Sequence, residues 1–375
     1  MRMAPMLTRS FSRQRYSDAA FIFYSTDREC GETTIMNSRP LPFFIQRLST
    51  AFLLLSVLAL GGCTKKVTSP SSGSQPGEAQ KKEFTIRLPE TLSDVAFVAE
   101  EKGFFKKEGI RIQWTGKQAH GPANIVSVAA AQNDAGASIT TAMIQARKAG
   151  NKVKIVIPSA ISTAKTPLIS FLVAENSPVK KPEDLLGRKV VASPQTITWY
   201  PVVEYLKKKG LDPGKVEFIA LRDVGQQEQA LRQGEVAAIA VTEPAASLII
   251  KRGGIRVILT DFDALQINQI GGWAFSDDFI QSNPAAVRGF VRAILDAVDF
   301  IKSDARNSEE AAKIIEKRTG IAARVPELLA ADQFTVSEQD IAKWIAILES
   351  NGSIKPGEVK PSDVFTNEFN PYAHK

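Results

Sequence analysis

From Phe84 to Lys375 the chain alternates between short apolar or β-branched runs and longer stretches with helical spacing. The runs at 84–88, 110–114, 135–139, 153–157, 169–174, 188–193, 216–221, 236–242, 255–260 and 272–276 read as strands. Helical patterns fall between several of them, from Asp94 to Gly103 and across 121–133, 199–210, 225–233 and 244–252. Gly103 suits the left-handed residue that closes a helix. This alternation predicts an α/β fold with parallel sheets covered on both faces. The last third differs. Asn283-Pro284 opens a helix carrying Val287, Phe290, Val291, Ile294 and Val298, and Ser337 with Asp340 resembles a capping box before Ile341, Trp344, Ile345 and Leu348. The 292 residues from Phe84 onward exceed what one core usually holds, so two lobes are expected.

Upstream the pattern changes. Phe52 to Leu60 is almost wholly apolar, too short to span a bilayer as a helix but suited to the hydrophobic region of a secretory signal. Arg47 supplies the positive flank, and Leu60-Gly61-Gly62-Cys63 resembles a bacterial lipobox, in which the cysteine is acylated and becomes N-terminal. Residues 36–62 are therefore expected to be a lipoprotein signal peptide starting at Met36, and residues 1–35 an extension ahead of the working start. Cys63 and residues up to 83, rich in Lys, Ser, Pro and Gly, read as a lipidated flexible tether.

Composition narrows the chemistry. Residues 1–62 hold 7 of the 47 basic and 4 of the 40 acidic residues, leaving a net charge near +4, mild and evenly scattered, which gives no basis for a nucleic-acid partner. Lys207-Lys208-Lys209 reads as a solvated helix end. Beyond the signal Cys63 is the sole cysteine, so no internal disulfide or thiolate metal site can form. The two histidines, His120 and His374, lie in a turn-like segment and a polar tail; there is no nucleophile elbow, metal-ligand spacing, P-loop or dinucleotide fingerprint. Neither catalysis nor a cofactor is called for.

The recurring feature is a strand that ends in small and hydroxyl residues and opens a helix. It occurs at Leu88–Ser93, Ala137–Thr141, Ser193–Thr198 and Val241–Pro244. Helix starts present unpaired N–H groups and the positive end of the helix dipole, and open α/β sheets bind ligands beyond their strand ends. Together these ends predict a polar pocket for a small anion or hydrogen-bond acceptor.

Four segments carry a family resemblance. Phe97-Val98-Ala99-Glu100-Glu101-Lys102-Gly103-Phe104-Phe105-Lys106-Lys107-Glu108-Gly109-Ile110 resembles a segment of ABC-importer substrate-binding proteins of the nitrate/sulfonate/taurine family, which also holds binders of thiamine-pyrimidine precursors. Val179–Val190, Leu206–Pro213 and Leu231–Ala238, running on to Thr242-Glu243-Pro244, are similar to it in the same order. The resemblance spans residues 84 to about 250.

It implies a two-lobed type II periplasmic-binding-protein fold, with lobe 1 at 84–174 and 270–375, lobe 2 at 175–269, and the ligand in the cleft between them. The two crossovers are expected near 172–178 and 266–275, with Gly271-Gly272 giving the second one backbone freedom. Phe104 and Phe105 should pack under lobe 1, and Gly109 should let the chain turn into the next strand. By position in the family pattern, the ligand residues would be Thr91, Leu92, Ser93, Ser138 and Thr140 from lobe 1 and Gln195, Thr196, Thr198 and Trp199 from lobe 2, with Glu243 and Trp273 at the cleft wall. The sequence departs from the family where Thr242 replaces a commonly aromatic position, and its cleft loops show no arginine to clamp a sulfonate. An anion held on helix starts and a heteroaromatic ring stacked on Trp199, with Glu243 as acceptor, both stay open. The implied function is an extracytoplasmic lipoprotein, monomeric and anchored through Cys63, that hands a sulfonate, nitrate, taurine-like or pyrimidine-type ligand to an ABC permease and its ATPase. The alternatives are a thiamine-pyrimidine biosynthetic enzyme on the same fold or a ligand-sensing module.

Overall fold

The computed structural model describes residues 83–91, 95–117, 121–320 and 334–373. The chain divides into two units, residues 1–73 and 74–375, and every described residue belongs to the second. The expected extension, signal peptide and Cys63 lie outside the described residues, as do Leu92, Ser93, His120 and His374.

Ten strands follow the apolar runs of the sequence: β1 (Phe84–Glu90), β2 (Ile110–Lys117), β3 (Ala135–Ile139), β4 (Val153–Ile161), β5 (Ile169–Ala174), β6 (Lys189–Val191), β7 (Glu217–Ile219), β8 (Ala238–Thr242), β9 (Ile255–Thr260) and β10 (Gln269–Ser276). The helices of the first half are α1 (Val95–Glu101), α2 (Phe104–Lys107), α3 (Gly121–Ala129), α4 (Thr140–Lys148), α5 (Tyr200–Lys208) and α6 (Val224–Gln233). Those of the second half are α7 (Ala245–Lys251), α8 (Asp261–Leu265), α9 (Asp277–Ser282), α10 (Pro284–Ser303), α11 (Ala305–Thr319), α12 (Glu338–Ser350) and α13 (Pro361–Val364). Gly103 and Gly109 both take left-handed backbone, φ 74° and 72°, where the sequence called for glycine. Phe105 is buried against Phe290, ring centroids 5.4 Å apart, and Phe104 packs on Phe300.

The strands form a parallel β1–β2 pair, a three-stranded sheet ordered β3-β10-β4 and a five-stranded sheet ordered β7-β6-β8-β5-β9. The expected wholly parallel sheets are not what forms. β10 is antiparallel to both β3 and β4, and β5 to both β8 and β9, while β6 runs parallel to β7 and β8. Each reversed strand directly follows a crossing between sheets. A chain that leaves one sheet at the shared edge enters the other from that edge, so it runs against the strands that end there.

The crossings are residues 162–168, between β4 and β5, and residues 261–268, which include α8. The first therefore precedes the expected 172–178, and the lobe boundary drawn after residue 174 moves ahead of β5. Ile169 to Val173 are buried in a strand paired on both sides, and such a run fits the centre of either sheet equally well until its partners are known. Gly271 and Gly272 do not loosen the second crossing. They lie inside β10, where a Cβ on Gly271 would stand 2.7 Å from the Ser138 carbonyl oxygen and one on Gly272 would collide with Ile155. Glycine is required there by close packing.

One apolar core lies beneath the three-stranded sheet and gathers Ile86, Leu88, Phe105, Trp273, Phe275 and Phe290. Another is continuous from α4 and β4 through α12 to β5 and α5. The C-terminal segment therefore does not belong to lobe 1 alone. Trp344 on α12 meets the Tyr200 ring edge-on at 6.2 Å and donates its indole N–H to the Gln269 carbonyl at 2.8 Å. The Ser337 hydroxyl accepts from Asp340 N–H as a cap should, but the Asp340 carboxylate does not return to it; one oxygen accepts the N–H groups of Asn268 and Gln269, both at 3.0 Å. The lysine run also does more than end a helix: Lys207 donates to Glu204 and Asn351, and Lys208 to the Ala264 carbonyl.

Candidate functional site

The edge shared by the two crossings is where β3, β4, β6, β8 and β9 end and where β5 and β10 begin. Ser138, Thr140, the Ser193–Trp199 loop and Glu243 all fall on that edge.

On the lobe 1 side β3 passes into α4 without a loop. Ile139 holds the N-cap position in extended backbone, φ −72° and ψ 146°, and no side chain caps the helix. Its first-turn N–H groups are thus left for something other than a cap. Thr140 is fully buried and Ser138 nearly so, yet among the described residues neither hydroxyl has a hydrogen-bond partner. Beside them Asn124 on α3 donates its amide to the Ala137 carbonyl at 2.9 Å and leaves its own carbonyl oxygen unpaired. Buried polar groups ordinarily find partners, and leaving one unmade costs about 1–3 kcal/mol. A cluster of unpaired groups at an uncapped helix start is the arrangement expected of a site that a ligand completes.

The lobe 2 side is different. Gln195 is exposed in left-handed backbone at φ 61°. The Thr196 hydroxyl donates to the Ser193 carbonyl at 2.7 Å and lies 2.9 Å from the Thr198 hydroxyl. The N–H groups of Trp199 and Tyr200, expected to be free for an anion, both donate to the Thr196 carbonyl. The threonine hydroxyls and the first N–H groups of this loop are thus engaged within it. Trp199 is half-buried, edge-on to Tyr200 at 5.3 Å and to Phe218 at 6.0 Å, and its indole N–H is buried without a partner among the described residues.

Two expected wall residues do other work. Trp273 is 1% exposed, inside the lobe 1 core and edge-on to Phe290 at 5.6 Å. An aromatic in a strand packed under a long amphipathic helix gains more from that core than from a polar edge. Glu243 turns its carboxylate onto its own helix, accepting the Ser247 hydroxyl at 3.0 Å and the Ser247 N–H at 3.3 Å, while its N–H ties the loop to Leu168 in the first crossing.

The structure adds residues the sequence pattern missed. Ser162 and Asn268 join the crossings: Ser162 N–H donates to the Asn268 carbonyl at 2.9 Å, and the Asn268 side-chain amide donates back to the Ser162 carbonyl at 2.8 Å. Asp261, 1% exposed, accepts the Ile169 N–H at 3.1 Å; burial pushes its carboxyl above the ordinary range, against the opposing pull of Ile169 N–H and the Ser162 hydroxyl. Gln269 is equally buried at the start of β10. The available signal was the polar pair Asn268-Gln269 between Ile267 and Ile270, at the head of an apolar run.

Comparison with known proteins agrees with this architecture. The taurine-binding periplasmic protein of Escherichia coli K12 is 26% identical over 241 residues, covering 59% of this chain and 67% of that one. A putative aliphatic sulfonates-binding protein of the same organism is 28% identical over 156 residues, 41% of this chain and 47% of its own length. The crystal structure of the periplasmic aliphatic sulphonate binding protein SsuA from Escherichia coli superposes with a TM-score of 0.62 at 20% identity, covering 76% of this chain and 98% of that one, which establishes the periplasmic-binding-protein fold. The pattern described as NMT1/THI5 like matches residues 94–308, more than half of the chain and both lobes, and the chain belongs to that family.

Proposed function

We propose that this protein is an extracytoplasmic solute receptor, anchored through an acylated Cys63, that captures a small oxyanion between its lobes and delivers it to an ABC permease without transforming it. The observation that carries the reading is the uncapped start of α4 with the buried, unpartnered hydroxyls of Ser138 and Thr140. Helix N–H groups and neighbouring hydroxyls suit an oxyanion, whose several lone pairs accept more than one donor at once. The relatives named for taurine and for aliphatic sulfonates support the same class. The heteroaromatic alternative is less well served, because Trp199 is packed edge-on by Tyr200 and Phe218 and Glu243 is engaged with Ser247.

A thermal-shift screen of 2-aminoethanesulfonate, ethanesulfonate, nitrate and hydroxymethylpyrimidine tests the ligand class. A ligand at one hundred times its dissociation constant stabilises by about 2.7 kcal/mol, enough to read from a melting curve. A shift with an oxyanion and recovery of that ligand unchanged are expected; a shift with the pyrimidine alone, or its conversion to product, would sink the reading. Mass spectrometry of the native N-terminus should find a diacylglyceryl cysteine at Cys63.

A further inference from the structure

The far end of α12 is gripped from both lobes. Ser353, in the turn after the helix, accepts at its carbonyl from Lys148, the last residue of α4 in lobe 1, at 2.8 Å. Its hydroxyl pairs at 3.2 Å with the hydroxyl of Tyr200, the first residue of α5 in lobe 2. Asn351 donates its side-chain amide to Glu204 at 2.8 Å and accepts from Lys207 at 2.7 Å, both on α5. Beyond the turn the chain returns to lobe 1, where Phe365 bridges to Ile155 on β4 and Thr366 N–H donates to the Ile155 carbonyl at 2.9 Å. The near end of α12 is fixed to the second crossing: Asp340 accepts from Asn268 and Gln269, and Lys343 donates to the Gln266 carbonyl at 2.6 Å.

We infer that α12 is a third connection between the lobes, a strap that limits how far they turn relative to one another. The two crossings meet where Ser162 bonds Asn268, and by themselves they would form a pivot, the usual hinge of a two-lobed protein. Asp340 is bonded at that pivot, and the helical rise carries Asn351 about 16 Å away from it. A turn of about 10° would displace a point at that distance by roughly 3 Å, more than a hydrogen bond can stretch and survive. Rotation about every axis except the one along α12 is therefore opposed. Whichever lobe the helix follows, its bonds to the other must break. The strap acts on the cleft as a whole and is independent of the chemistry of the ligand.

Double electron–electron resonance on the ligand-free protein decides the point. Spin labels at the exposed positions Glu309→Cys on α11 and Glu235→Cys after α6, in a chain carrying Cys30→Ser and Cys63→Ser, read the separation of the lobes. The clasp is opened by Tyr200→Phe, which keeps the buried ring and loses only the hydroxyl, together with Asn351→Ala. With the clasp intact one narrow distance is expected; with it opened the distribution should spread by about 3 Å or more. A second pair within lobe 2, Lys215→Cys with Glu235→Cys, should keep its distance in both proteins, because a merely local role would loosen α5 and move this pair instead. If the double variant does not fold, Lys148→Met, which cuts only the exposed bond to lobe 1, is judged by the same two pairs. An interlobe distribution that is the same with and without the clasp, or a broadened pair within lobe 2, overturns the inference.

Discussion

At α4 the chain passes from strand to helix with no loop and no side-chain cap, and the hydroxyls of Ser138 and Thr140 are buried without partners among the described residues. At α5 eight residues separate β6 from the helix, and Thr196 draws in Ser193, Thr198, Trp199 and Tyr200 through its hydroxyl and carbonyl. Both segments have the same sequence signature, hydroxyl residues leading from a strand into a helix. One is left open and the other closes on itself. Hydroxyl-rich helix starts are therefore not equivalent candidates for a site. What separates them is whether the loop is long enough to supply its own acceptors, and β3–α4, with no loop at all, is not.

The sharpest way to break the comparison is Trp273→Ala. As a buried core aromatic it should lose about 3–5 kcal/mol of stability in denaturant titration, with ligand affinity unchanged in the protein that remains folded. Lost affinity at unchanged stability would return Trp273 to the cleft wall and widen the lobe 1 side. Next in size is Thr140→Val, which exchanges the unpartnered hydroxyl for a methyl of the same shape. Affinity for the oxyanion should fall roughly tenfold, about 1.4 kcal/mol, while the melting temperature holds or rises. A variant that loses stability instead would mean the hydroxyl already has a partner. On the lobe 2 side Thr196→Val should do the reverse, costing about 1 kcal/mol of stability and little affinity. If calorimetry shows the two threonines behaving alike, the distinction between open and closed helix starts is gone.

The smallest effect is expected at the crossings. Burial raises the Asp261 carboxyl above its ordinary range, so the folded protein holds that proton more readily than the unfolded chain does. Its favourable contribution is complete below the ordinary carboxylate pKa of about 4 and is lost as pH rises through the folded value. Asp261→Asn should accordingly flatten that stretch of the stability–pH curve and gain relative to wild type as pH increases. A curve that parallels the wild type from about pH 4 to 7 would show that Asp261 titrates normally.

The sequence by itself determined the order and approximate places of the ten strands and the left-handed turns at Gly103 and Gly109, and the family resemblance brought the packing of Phe104 and Phe105. The strands and the glycine turns rest on periodicity and on contacts only a few residues apart, which a single segment records. Ser138 and Thr140 fall on the edge shared by the two crossings. Only the tertiary structure decided that β5 belongs to the five-stranded sheet, that β5 and β10 run against their neighbours, and that Gly271 and Gly272 serve packing instead of bending. The same holds for Asp340, which reads locally as half of a capping box yet gives its carboxylate to Asn268, 72 residues away. Gln269 was invisible for the same reason. A polar side chain's role depends on which buried groups lie beside it, and those are set by strand pairing across the chain, not by its sequence neighbours.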